Sequence, residues 1–135
     1  MSQHEETLVG KIIHEKIPIE WMRYNMFLTN NKYKNIPMLV FRVQDSCSNS
    51  LIEDLKKSVN GFNGKLRWKV FKNPLTRKDN YLLSIFELEE LYMQCYAGQI
   101  QYNQVEFFGE ERYKKYCDDA IQDIPMLAKH IAETL

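Results

Sequence analysis

The chain has 135 residues, of which 44% are hydrophobic and 27% charged, and no net charge. These are values of one ordinary globular domain, long enough to bury a core without metal or disulfide staples, and they exclude a disordered chain. No apolar run approaches the roughly 18 residues of a membrane-crossing helix.

The polar, acidic start MSQHEETLVGKIIHEK has neither the apolar core nor the cleavage site of a secretory signal. The expected location is cytoplasmic. Cys47, Cys95 and Cys117 form no CxxC pair and no disulfide framework, which suits a reducing compartment. The charge is unevenly spread. Residues 11–78 hold 14 Lys/Arg against 5 Asp/Glu, and residues 79–135 hold 4 against 11. Such asymmetry gives a basic and an acidic surface if the halves lie apart, and an internally neutralised molecule if they pair.

In chain order, residues 1–4 are expected to fray. Leu8, Val9, Ile12 and Ile13 recur at helical spacing and predict a helix over 5–16, stopped by Pro18. A second helix is predicted over 19–29. Its apolar residues, Ile19, Trp21, Met22, Met26 and Phe27, exceed one narrow stripe and imply burial on several sides. After a polar turn, Met38 to Val43 reads as an interior strand.

Ser50 followed by Glu53 reads as a capping box opening a helix to Val59, with Leu51, Ile52, Leu55 and Val59 inward. Asn60–Gly61 is its expected left-handed stop. Alternation then predicts a strand over 65–72, with Leu66, Trp68 and Val70 facing the core and Lys65, Arg67 and Lys69 facing out. An antiparallel strand is expected near 80–84 and a helix near 85–97. A short, irregular strand is expected within 99–108. A helix from 109 carries Tyr113, Tyr116, Cys117, Ala120, Ile121 and Ile124. Pro125 should break or kink it before a last turn or two over 126–134.

The expected fold is therefore a single-domain α+β arrangement over residues 1–135: a small mixed sheet of three to four strands, packed by about five helices.

No motif fixes a chemistry. The loop from Gln44 to Ser50 lies between a buried strand and a helix start, where an anion or an activated Cys47 thiol would be favoured. Glu53 stands where a phosphate loop places arginine, and the loop lacks glycine. His4, His14 and His130 have no metal-ligand spacing, and no cofactor is implied. Asp118, Asp119 and Asp123 read as a solvated acidic helix face.

The leading reading is a non-catalytic protein-binding module, an inhibitor, immunity-type protein or adaptor, meeting a basic protein. Its expected surface is acidic and tyrosine-rich: Glu89, Glu90, Tyr92, Glu110, Glu111, Tyr113, Asp118 and Asp119. One alternative is a nucleic-acid binder using Lys65, Arg67, Lys69, Lys72, Arg77 and Lys78. A second is a small enzyme with its site at the 44–50 junction, using Cys47 or Asp45.

Overall fold

A computed structural model describes residues 2–27, 35–72, 80–85 and 110–135. These residues form α1 (Ser2–Lys16), β1 (Ile19–Phe27), β2 (Asn35–Val43), α2 (Asn49–Asn60), β3 (Trp68–Lys72), β4 (Asn80–Ile85) and α3 (Glu110–Thr134). The four strands make one sheet in the order β1-β2-β4-β3, and every neighbouring pair is antiparallel. The α+β class and the four-stranded sheet thus hold, while the expected mixed pairing does not.

Nor do the expected five helices: the described residues contain three. Of the segment 19–29 expected to be helical, Ile19–Phe27 is a strand, and the two C-terminal helices are one. Ile85, the expected start of the next helix, is the last residue of β4, and the rest of that helix to 97 and the strand within 99–108 lie outside the described residues.

The misreading of β1 has a definite cause. Its register against β2 shifts between Ile19 and Trp21 and again between Tyr24 and Met26. The first irregularity puts Ile19 and Met22, three residues apart, opposite Val43 and Phe41 on one face, while Trp21 and Arg23 are exposed. A bulge inserts an odd residue into a two-residue period, so a strand comes to resemble a helix in spacing.

β2 and β3 each pair with β4, so they run parallel to one another with β4 between them. They are not neighbours, and α2 bridges from one to the other. The register assigns the faces. Leu39, Phe41 and Val43 of β2 share one face with Tyr81, Leu83 and Ile85 of β4 and with Trp68 and Val70 of β3. Trp68 bonds to α3 and Lys56 of α2 lies 6.0 Å from the Tyr81 ring centre, so the helices cover this face. Phe41 and Tyr81 stack across the strands with ring centres 5.7 Å apart. The opposite face is buried at its centre too, through Met38, Val40, Leu82 and Ser84. Central strands buried on both sides read as unbroken apolar runs, which is why LVF in β2 and YLL in β4 were legible.

The helices add their apolar stripes to this core. α1 contributes Val9, Ile13 and Ile17; α2 contributes Ile52, Leu55 and Val59; α3 contributes Ala120, Ile124, Leu127, Ala128 and Ile131. The N-cap of α2 is Ser48, whose Oγ accepts from the Leu51 N–H at 3.3 Å. Ser50 is already helical, and Glu53 pairs with Lys56 at 3.4 Å, so the expected capping box is replaced by a cap two residues earlier. At the other end Gly61 has φ −81°, an ordinary right-handed value, and its N–H returns to Lys57 and Ser58. The expected left-handed stop is absent.

Pro125 lies inside α3 without ending it. The carbonyl deprived of its N–H partner belongs to Ile121, an exposed residue, so water can take the place of the lost bond.

One carboxylate ties the helices to the sheet. Asp123 of α3 is 1% exposed, and its Oδ1 accepts from the Lys65 N–H at 2.8 Å. Its Oδ2 accepts from the Leu66 N–H at 2.9 Å and from the Trp68 indole N–H at 3.0 Å. Three donors replace the lost hydration of a buried charge. The expectation of a solvated Asp123 is thereby corrected. Gly64 exists for the same contact: a Cβ there would sit 2.6 Å from Asp123 Oδ2 and 2.5 Å from the Phe62 ring.

Asp123→Ala strands three N–H groups, two of them backbone, and is expected to cost roughly 3 kcal/mol or more. Urea unfolding should show a lower midpoint at unchanged slope. A shift corresponding to less than about 1 kcal/mol would show that the clasp contributes little.

Candidate functional site

Three regions bear on function: the outward stripe of α3, the groove where α2 and α3 end, and the loop from Gln44 to Ser48.

The outward stripe follows from helix geometry. With Ala120, Ile124, Leu127 and Ile131 turned inward, Glu111, Asp118, Gln122 and Lys129 fall on the opposite side and are exposed. Met126, 58% exposed, and Ile121, 37% exposed, flank this row. Asp119 lies at its margin, where Lys115 Nζ approaches its carboxylate at 2.8 Å. That bond and the carboxylate's charge raise the Lys115 pKa. The stripe mixes signs, because Lys114, Lys115 and Lys129 interleave with Glu111, Asp118 and Glu133.

Of the expected partner-binding residues, α3 thus brings together Glu111, Asp118 and Asp119. Glu110 and Tyr113 belong to the first turn of the same helix by backbone position. Glu89, Glu90 and Tyr92 lie outside the described residues.

Among the described residues of the expected basic row, Lys69 and Lys72 stand on opposite faces of the sheet. Lys65 and Arg67 are exposed in the loop that Asp123 holds, ahead of β3. Lys69 shares a sheet face with Phe71, its Nζ 5.9 Å from the ring centre. Lys72 is opposite Tyr81 and belongs to the other face. Arg77 and Lys78 lie outside the described residues.

The groove, about 520 Å³, lies between the last turns of α2 and α3 and is lined by Asp54, Lys57, Ser58, His130 and Thr134, among others. Its hydrogen bonds are mutually determined. The Thr134 hydroxyl donates to the His130 carbonyl at 2.7 Å, so it accepts from the Ser58 hydroxyl. His130 Nε2–H donates to the Ser58 carbonyl at 2.7 Å. A histidine bound to a terminal carbonyl is a favourable helix cap. Ser58 therefore gives its proton to Thr134 and not to the imidazole: the cluster is a latch between two helix ends, without a nucleophile–base pair. Sequence spacing could not show it, because Ser58 and His130 meet only in space.

The 44–48 loop is a tight turn in which the Cys47 N–H returns to the Gln44 carbonyl at 2.9 Å. Cys47 packs partly against the core, its thiol 3.6 Å from the Ser48 carbonyl. Burial raises the thiol pKa, which is opposite to the activation an N-terminal helix site would confer. Asp45 is turned to solvent and meets Arg42 at 3.4 Å. Arg42 also pairs with Glu20 across the strands. Arg42 Nε and Asn80 Oδ1, at paired register positions, are buried without hydrogen-bond partners among the described residues, and both are sealed from an outside ligand.

Among the described residues no group of three His, Cys, Asp or Glu is placed to hold a metal ion, and no helix is long and apolar enough to cross a membrane. Comparison with protein-family models, with curated proteins and with solved structures gives no match.

Cys47 should alkylate more slowly at neutral pH than cysteine in an unstructured peptide, because a raised pKa leaves less thiolate. Peptide-resolved alkylation across pH should place its midpoint above that of the free thiol. A midpoint below it would restore Cys47 as a candidate nucleophile.

Proposed function

We propose that this chain is a non-catalytic protein-binding module that meets its partner through the outward stripe of α3. The observation that carries the reading is the exposure of Met126, at 58%, along one edge of the row formed by Asp118, Gln122 and Lys129, with Ile121 exposed along the other edge. A long methionine side chain left in solvent on an otherwise well-packed helix costs hydration and adapts readily to an apolar partner surface. Glu111 and Asp118, seven residues apart on one side of the helix, supply charges that select a partner carrying basic groups around that apolar contact. Asp119 lies at the margin of this surface, and Glu110, Tyr113, Glu89, Glu90 and Tyr92 belong to the proposal from the sequence alone. An inhibitor, immunity-type protein or adaptor would use such a face.

The test is a pull-down with the full chain at low and moderate salt, followed by titration of the recovered partner against Met126→Lys and Asp118→Lys. Both residues are exposed, so both variants should unfold within about 0.5 kcal/mol of the parent. Met126→Lys should weaken binding by about 1–2 kcal/mol, roughly tenfold. Asp118→Lys should chiefly slow association and flatten its salt dependence. Absence of a stoichiometric partner at either salt, or a partner indifferent to both variants, overturns the reading.

A further inference from the structure

The end of α2 and the turn after it contain two Asn–Gly pairs, Asn60–Gly61 and Asn63–Gly64, three residues apart. Asn–Gly is the dipeptide in which the following backbone nitrogen most easily reaches the asparagine side chain, because glycine has no Cβ to obstruct the approach. The two pairs meet opposite surroundings. Asn60 is the last residue of α2, and the Gly61 N–H is held by the Lys57 carbonyl at 3.0 Å and the Ser58 carbonyl at 3.2 Å. Helical backbone at Asn60 points its side chain away from that nitrogen, and the double bond keeps the nitrogen occupied. Asn63 lies outside any helix or strand, and both it and Gly64 are exposed. Phe62, Lys65 and Leu66 each donate their N–H to an acceptor, but among the described residues nothing accepts from Gly64 N–H.

We propose that Asn63 is a site of spontaneous deamidation in the folded protein, and that Asn60 is protected. The Gly64 nitrogen loses its proton to solvent base and attacks Asn63 Cγ. The N–Cγ bond forms, the Cγ–Nδ2 bond breaks, and ammonia leaves with a proton from water. Water then opens the succinimide ring. Attack at Cγ leaves aspartate at position 63. Attack at the backbone carbonyl leaves isoaspartate, with the chain running through the former side-chain carbonyl. No oxidant, reductant or enzyme is needed.

The position gives the reaction a structural consequence. Residue 63 is two positions before Lys65, whose N–H is the first that Asp123 accepts. Either product places a new carboxylate in the turn that holds the buried Asp123 carboxylate, and like charges repel. Isoaspartate also lengthens the backbone by one methylene just ahead of the Lys65 and Leu66 donors, displacing them from the oxygens they meet at 2.8 and 2.9 Å. Ageing at one exposed amide therefore acts on the attachment of α3 to the sheet.

The experiment incubates the full chain in warm, mildly alkaline buffer and follows Asn60 and Asn63 by peptide mass spectrometry, with isoaspartyl methyltransferase labelling to separate the two products. In the folded protein Asn63 should convert at least about tenfold faster than Asn60, because conversion at Asn60 waits for the end of α2 to open. In concentrated urea the two should convert at similar rates. Asn63→Ser should abolish the mass gain in folded protein, whereas Asn60→Ser should leave it unchanged. The fraction carrying isoaspartate should unfold at lower urea than the parent. Conversion at Asn60 as fast as at Asn63 in the folded chain overturns the proposal. So does an intact Asn63 under folded conditions in which the urea sample converts at both sites.

Discussion

The structure depends on one buried carboxylate. Asp123 takes three N–H groups from a loop and a strand start more than fifty residues away, at 2.8, 2.9 and 3.0 Å. Two of them belong to the backbone of the turn that leaves α2, and the third to a buried indole that must find an acceptor. A turn between helix and strand ordinarily lies in water, where its amides are solvated. Here the amides point inward, and an acid on a neighbouring helix stands in for the water. The arrangement fixes the distance between α3 and β3 more narrowly than apolar packing would, because hydrogen bonds have direction and dispersion contacts do not.

A second connection reinforces it. The ends of α2 and α3 are joined through Ser58, His130 and Thr134, so α3 is tied to α2 near its end and to the β3 approach in its middle. α2, the following turn and β3 are thereby held against one helix at successive points. The buried residues of α2, Ile52, Leu55 and Val59, fill the space between these ties. What remains unconstrained by them is the opposite side of α3, where Ile121, Pro125 and Met126 lie. A helix anchored so firmly on its inner side can present an outer side without loss of position, which is what a binding surface requires.

How much of this was legible follows residue by residue. β2, β4 and α2 were found because burial on both faces or on one stripe leaves a period that a sequence retains. β1 was lost because two register shifts disguised a two-residue period as a three-residue one. The single α3 was divided in two because proline usually ends a helix, and the exposure of Ile121 that makes it tolerable is a tertiary fact. Asp123 was grouped with Asp118 and Asp119 by charge. A signal was nevertheless present: Ala120, Ile124 and Leu127 place it beside the apolar stripe, while Asp118 lies opposite. A nearby tryptophan and a glycine-rich turn needing a partner could have completed that inference. At the candidate surface, residue types were readable, but the interleaving of Lys114, Lys115 and Lys129 among the acids needed the helix to be drawn.

The order of the strands has a consequence for synthesis. β4 occupies a central place in the sheet yet follows β1, β2 and β3 along the chain. Until residue 85 has left the ribosome, β2 and β3 cannot be joined, and each presents to its surroundings the row of amides and carbonyls that β4 will later take. The hairpin of β1 and β2 forms from local contacts, but closure of the sheet awaits insertion of one apolar strand, YLLSI, between two others already made. During that interval the nascent chain is a template with a vacant slot for any extended apolar segment, and chaperone cover would matter most over a short stretch of translation.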